Sequence, residues 1–163
     1  MKKISEKIIL LSIIVFTTLT SLHSEELFID YPEDYRNWTH IKSMVIQEGH
    51  PLHASFGGIH HIYANEKALQ GYQQGNFPDG SIIIFDLLAA VIDDTSVTEG
   101  TRKVLGVMEK DSSRFKDTSG WGFEGFAKGN ATSRAIGKNY KEACYTCHIS
   151  QKDNDYVFSK WRN

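Results

Sequence analysis

The stretch SIIIFDLLAAVI, residues 81–92, decides the fold. It follows the turn-forming run Asn76-Phe77-Pro78-Asp79-Gly80. Its first half is rich in isoleucine, which favours a strand, while its leucine- and alanine-rich second half lets a helix compete. The turn-bounded start and unbroken apolar run fit a buried strand better. Working outward, residues 59–64 (IHHIYA), 103–110 and 121–127 read as further strands. Asn65 can cap a short helix running through Tyr72, because Glu66, Lys67, Ala68 and Leu69 are good helix formers. Pro32-Glu33-Asp34 predicts a helix start, with acids near the positive dipole end and the helix running to about Lys42. Residues 49–58 read as a loop. Residues 143–148 read as a helix preceded by polar residues 133–141. Strands in the middle with helices at both ends predict an α+β domain, mainly an antiparallel sheet with a few short helices.

Composition agrees with one folded unit. The chain has 163 residues, 40% of them apolar and 23% charged, with only 3 prolines. That size supports a single domain, and that balance argues against disorder. The formal charge is −2 and the basic residues do not cluster, so the basic face that a nucleic-acid binder needs is missing. Two cysteines are too few for a disulfide scaffold or a four-thiolate zinc site.

The N-terminus reads as a secretory signal peptide, residues 1–24. Lys2, Lys3 and Lys7 precede the apolar run 8–19 (IILLSIIVFTTL), which is short for a bilayer span. Ser21 and Ser24 offer cleavage points, and an uncleaved anchor is the alternative. Removing three lysines and Glu6 takes the formal charge from −2 to −4. The expectation is a periplasmic domain over residues 25–163.

Both cysteines fall in Cys144-Tyr145-Thr146-Cys147-His148, the CxxCH attachment pattern of c-type haem. On a helix, residues three apart point to nearly the same side, so both thiols can reach one porphyrin edge. His148 follows directly and can serve as the proximal iron ligand. A thiol–disulfide CxxC competes, but such motifs open a helix early in a βαβ domain, a pattern lacking here. A zinc site would need a fourth ligand from elsewhere.

Four segments in order resemble the cytochrome P-460 family. They are Ile59-His60-His61-Ile62-Tyr63, Gly75-Asn76-Phe77-Pro78-Asp79-Gly80-Ser81, residues 110–123 (KDSSRFKDTSGWGF), and Cys144-Tyr145-Thr146-Cys147-His148. The likeness covers about residues 30–160. It implies a mainly antiparallel sheet, a homodimer, and one haem c held covalently by Cys144 and Cys147 on a C-terminal helix. His148 would be the iron ligand. The family has two branches. In cytochrome P-460 proper, a lysine on the strand after the FPDG-type turn is cross-linked to the haem, and the enzyme oxidises hydroxylamine. In the branch called cytochrome c′-beta, phenylalanine takes that place, joined by a second phenylalanine from an upstream loop. The iron is then five-coordinate and binds nitric oxide. Here Phe85 stands at the lysine position, residues 81–85 contain no lysine, and Phe56 before Gly57-Gly58 matches the loop phenylalanine. The resemblance therefore implies the nitric-oxide-binding branch. A hydroxylamine-oxidising enzyme and a simple electron-transfer cytochrome with a redox partner protein are the alternatives.

Other side chains compete for the same site. His50, His53, His60, His61, Met44 or Met108 could supply a sixth iron ligand. His60 and His61 are adjacent, so a strand sends them to opposite faces. The expectation is one buried and hydrogen-bonded, the other exposed. Lys67, on the short helix and nearest the His60–Tyr63 strand, is expected to face solvent, with a haem cross-link as its alternative role. Arg114 and Arg134 could pair with haem propionates. Trp121 and Phe123 are expected to pack the core.

Overall fold

The computed structural model describes residues 28–162. The expected signal peptide lies outside the described residues. Five strands form one antiparallel sheet in sequence order: β1 (Thr39–Ile46), β2 (Gly58–Ala64), β3 (Ile82–Asp93), β4 (Ser96–Lys110) and β5 (Trp121–Ala127). Short helices complete it: α1 (His53–Phe56), α2 (Glu66–Gln74), and α3 (Thr146–His148). A π-helical turn, Lys141–Tyr145, leads into α3, and a 3-10 segment, Ile149–Asn154, follows it. The fold is α+β and mainly antiparallel sheet, as expected.

The strand reading of SIIIFDLLAAVI holds, and β3 runs on to Asp93. The Asn65 cap holds too: its Oδ1 accepts from the Ala68 amide at 2.8 Å. It also accepts from the Ile82 amide at 3.1 Å, which ties the start of α2 to the start of β3.

Three expectations need correction. The helix predicted from Pro32 to about Lys42 is only a single 3-10 turn, Tyr35–Asn37, and the chain then becomes β1. Edge pairing with β2 overrides the local helix signal, because Thr39 lies opposite Ala64 and Ile46 opposite Gly58. The loop at residues 49–58 contains α1. Strand 103–110 begins earlier, at Ser96, forming a long hairpin with β3.

Cross-strand partners share a sheet face. One face carries the row Ile62–Phe85–Gly106–Gly125. Flanking it on the same face are His60–Leu87–Val104–Ala127 and Ala64–Ile83–Met108–Phe123. A Cβ at Gly106 would lie 3.3 Å from Phe85 Cβ, so the glycine gives that ring its room. The other face buries Ile84, Asp86, Leu105 and Val107. Asp86 is neutralised there by Arg102 (Nε to Oδ1, 2.6 Å) and accepts from the Tyr35 hydroxyl at 2.7 Å. Burial, with the Asp86 carboxylate beside it, pushes the Tyr35 pKa up to about 12.

Candidate functional site

The face carrying Phe85 holds two groups of candidate residues. The first brings together both sequence-selected phenylalanines. Phe56, at the end of α1, meets Phe85 edge-on with ring centroids 5.8 Å apart and planes at 85°. The Gly57-Gly58 link from α1 into β2 is fixed from both sides. Gly58 has φ +131°, and a Cβ there would fall 2.1 Å from the Leu88 carbonyl oxygen. Lys103 donates from Nζ to the Gly57 carbonyl at 2.8 Å. Phe56 stays 40% exposed while Phe85 is half-buried, so this aromatic pair borders solvent on one side.

His60 also packs against Phe85, ring centroids 4.6 Å apart and planes tilted by 36°. The adjacent-histidine expectation holds for opposite faces and for one buried ring, but the hydrogen bonds belong to the other ring, His61, which is partly buried rather than exposed. His61 does point the opposite way, where it meets Ser43 and Glu99. His60 is buried, but its Nδ1 has no hydrogen-bond partner. Burial first, then His61 and Lys42, lower its pKa to about 4, so the ring is neutral.

The second group is the CxxCH segment. The π-turn carries Cys144 and α3 carries Cys147, about one helical turn apart, with His148 closing α3. π-turns often mark functional sites. The His148 ring packs 4.9 Å from Phe123 and 5.0 Å from Phe158. Its Nδ1 lies 2.7 Å from the Tyr156 carbonyl, which can only accept, so Nδ1 carries the proton. That leaves Nε2 with its lone pair, as a metal-ligating imidazole requires. Burial lowers the His148 pKa and so favours the neutral ring a ligand must be, while the Tyr156 hydrogen bond acts in the opposite direction. Burial, then Glu124 and Cys147, push the Cys144 thiol up to about 11. A redox-active CxxC needs a lowered thiol pKa instead, so the disulfide-exchange reading loses support. Among the described residues, no three His, Cys, Asp or Glu side chains gather as a metal-ion site, which leaves the zinc reading without a ligand set.

The carbonyl that orients His148 is itself held in place. Asp155 and Tyr156 both have positive φ, 46° and 64°, uncommon for these residue types. Asp155 fixes this bend through three contacts. Its Oδ1 pairs with Lys110 Nζ at 2.8 Å, its Oδ2 accepts from the Phe77 amide at 3.0 Å, and its carbonyl accepts from Trp121 Nε1 at 2.8 Å. Phe77, Lys110 and Trp121 come from two of the sequence segments that carry the resemblance. They converge on the tail behind the histidine. Nothing in the sequence reading singled out Lys110, Asp155 or Tyr156. The FPDG-type turn and the KDSS run were the available signals.

The remaining candidates take other roles. Lys67 is exposed, as expected, and donates to the Asp79 carbonyl at 3.0 Å. Arg114 pairs with Glu109 and Arg134 with Glu124, each at 3.1 Å, so both guanidiniums already hold protein carboxylates. His50 and His53 are exposed on the α1 loop. Met44 is 46% exposed on the edge strand, and Met108 packs against the core. Trp121 and Phe123 are buried, as expected.

An oriented histidine, two thiols one turn apart and an aromatic wall across a glycine-floored sheet face are the parts of a c-type haem site. The residues present fit that group. The chain belongs to the cytochrome P-460 family, whose sequence pattern matches residues 32–159. It is therefore a c-type haem cytochrome. A comparison with curated proteins finds no match.

Proposed function

We propose that the protein is an exported mono-haem cytochrome that binds nitric oxide or a related small ligand at a five-coordinate iron. Cys144 and Cys147 hold the haem covalently, His148 supplies the iron ligand, and Phe56 with Phe85 wall the open side. The observation that carries this reading is the edge-on contact of Phe56 with Phe85 on the strand where a hydroxylamine-oxidising relative would carry lysine. Aromatic hydrocarbon side chains cannot ligate iron, so they leave a sixth position to an incoming ligand. Their bulk restricts that ligand's size. Neither phenylalanine ring offers a hydrogen bond or a ligating atom, which suits a small ligand such as nitric oxide that ferrous iron itself holds strongly. A periplasmic location and a homodimer, implied by the leader-like N-terminus and the resemblance, complete the reading.

The alternative, hydroxylamine oxidation, needs a haem–lysine bond and a proton acceptor. Lys103 brings an amine to the Phe56 loop, where the Gly57 carbonyl engages it. Absorption spectra and intact mass of the purified protein decide between the readings. The proposal expects a five-coordinate spectrum and the mass of apoprotein plus haem joined by two thioether bonds. A six-coordinate spectrum would mark an electron carrier. A further hydrogen loss on a lysine peptide, with hydroxylamine turnover, would mark the enzyme.

A further inference from the structure

We propose that His60 is the polar member of the ligand pocket, hydrogen-bonding a small ligand that binds beside Phe85. This rests on the reading of the Phe56–Phe85 side as the ligand-binding face. Three observations support it. His60 shares the sheet face of Phe85, one row away, with Leu87 opposite it on β3. Its ring packs against Phe85 at 4.6 Å, as Phe56 does at 5.8 Å. Its Nδ1 is the buried side-chain polar atom left without a partner among the described residues.

A buried, unsatisfied nitrogen is costly, and native proteins keep few of them. A histidine serving only as packing would be replaceable by an aromatic hydrocarbon. The neighbouring His61 finds Ser43 at 2.6 Å and Glu99 at 2.7 Å, so this strand does satisfy imidazoles where partners exist. His60 differs because the surface it faces is the aromatic cluster. A ligand arriving there would meet a neutral imidazole able to offer one N–H or one lone pair. The pocket is then not purely apolar: Phe56 and Phe85 limit size, while His60 rewards a ligand whose outer atom can hydrogen-bond.

Carbon monoxide bound to the reduced holoprotein is a suitable probe, because its stretching frequency reports the local field and any hydrogen bond. Infrared spectra would be taken of the wild type, H60L, H60Q and F85A. In H60L the stretch should move to higher frequency, and carbon monoxide should dissociate ~5-fold faster, the loss of one hydrogen bond. H60Q, which keeps an N–H donor, should recover most of the shift. Exchange of water for deuterium oxide should move the wild-type band and leave H60L unchanged. The wild-type isotope experiment needs no variant, so it stands even if H60L fails to fold. An unshifted H60L band with no wild-type isotope effect overturns the role of His60. If F85A nonetheless alters binding rates, the ligand-face reading survives that failure. If F85A also leaves the rates unchanged, the ligand-face reading falls with it.

Discussion

Lys110 and Asp155 form a nearly buried ion pair, Nζ to Oδ1 2.8 Å, that fixes the backbone bend behind His148. The pair is one step removed from the histidine. Asp155 precedes Tyr156, whose carbonyl accepts the His148 Nδ1 proton. Lys110 also donates to the Ser119 carbonyl and lies 4.9 Å from the Trp121 ring centroid. Replacing Lys110 by methionine leaves Asp155 a buried, uncompensated carboxylate. The expected cost is ~3 kcal/mol, read from urea unfolding. The haem reduction potential should also shift, because an imidazole that loses its outer hydrogen bond is a weaker donor. A variant with lowered stability and an unchanged potential would mean that the pair does not tune the histidine.

Replacing His148 by alanine should leave both thioether bonds possible and remove the proximal ligand. Extraction with acidified organic solvent should leave haem on the protein in both forms, while the wild-type absorption spectrum changes in the variant. Loss of haem from the wild type under that extraction would contradict covalent attachment through Cys144 and Cys147.

Replacing Phe85 by alanine should speed the binding of carbon monoxide or nitric oxide, measured by stopped flow. The ring is half-buried, so the stability loss should fall below the ~3–5 kcal/mol of a fully buried phenylalanine. Wild-type binding rates in a folded variant would mean that Phe85 does not bound the ligand pocket.

Gly58 should tolerate no side chain. Its φ of +131° and the 2.1 Å approach of a built Cβ to the Leu88 carbonyl predict a loss of ~2–4 kcal/mol for Gly58→Ala. The same change should loosen the Phe56 loop, so ligand binding should change together with the thermal midpoint. An unaltered midpoint would show that the backbone relaxes freely there.

Acid should weaken the fold through His60. Its folded pKa, about 4, lies below the ordinary 6.5, so the unfolded chain binds the extra proton first. Stability is therefore full above pH 6.5 and falls as pH drops toward 4, by an amount on the order of 3 kcal/mol. Lys42 on β1 and His61 on β2 add to the same depression. Unfolding of wild type and H60L, compared from pH 7 to 4, isolates this contribution. Parallel curves would remove it.

Much of the sheet was legible because β2, β3 and β5 bury strong apolar or aromatic runs between clear turns. β1 was not. It is an edge strand with Ile41 and Ile46 buried amid exposed neighbours, so its pattern is thin. The preceding Pro32-Glu33-Asp34 gave a real helix-start signal that tertiary pairing overruled. The CxxCH histidine and both phenylalanines could be selected as candidates from motifs, and the contact between the two phenylalanines agrees with that selection. The Tyr156 carbonyl was not, because a backbone oxygen aimed by positive-φ residues leaves no signature in residue type. The orphaned Nδ1 of His60 was hidden for a related reason: adjacency assigns His60 and His61 to faces but does not say which face offers partners.

The strand order gives the site a place in time as well as in space. Every strand pairs with its sequence neighbour, so the sheet can zip from successive hairpins at low loop-closure cost. Asp155, by contrast, must bridge 45 residues to Lys110 and 78 to Phe77. Closing those spans is entropically later than forming the hairpins. Loop-closure cost therefore predicts that the CxxCH tail is still accessible when the sheet forms and that the Asp155 contacts close last. Pulse-labelled hydrogen exchange should find the β3–β4 hairpin protected before the Phe77 amide.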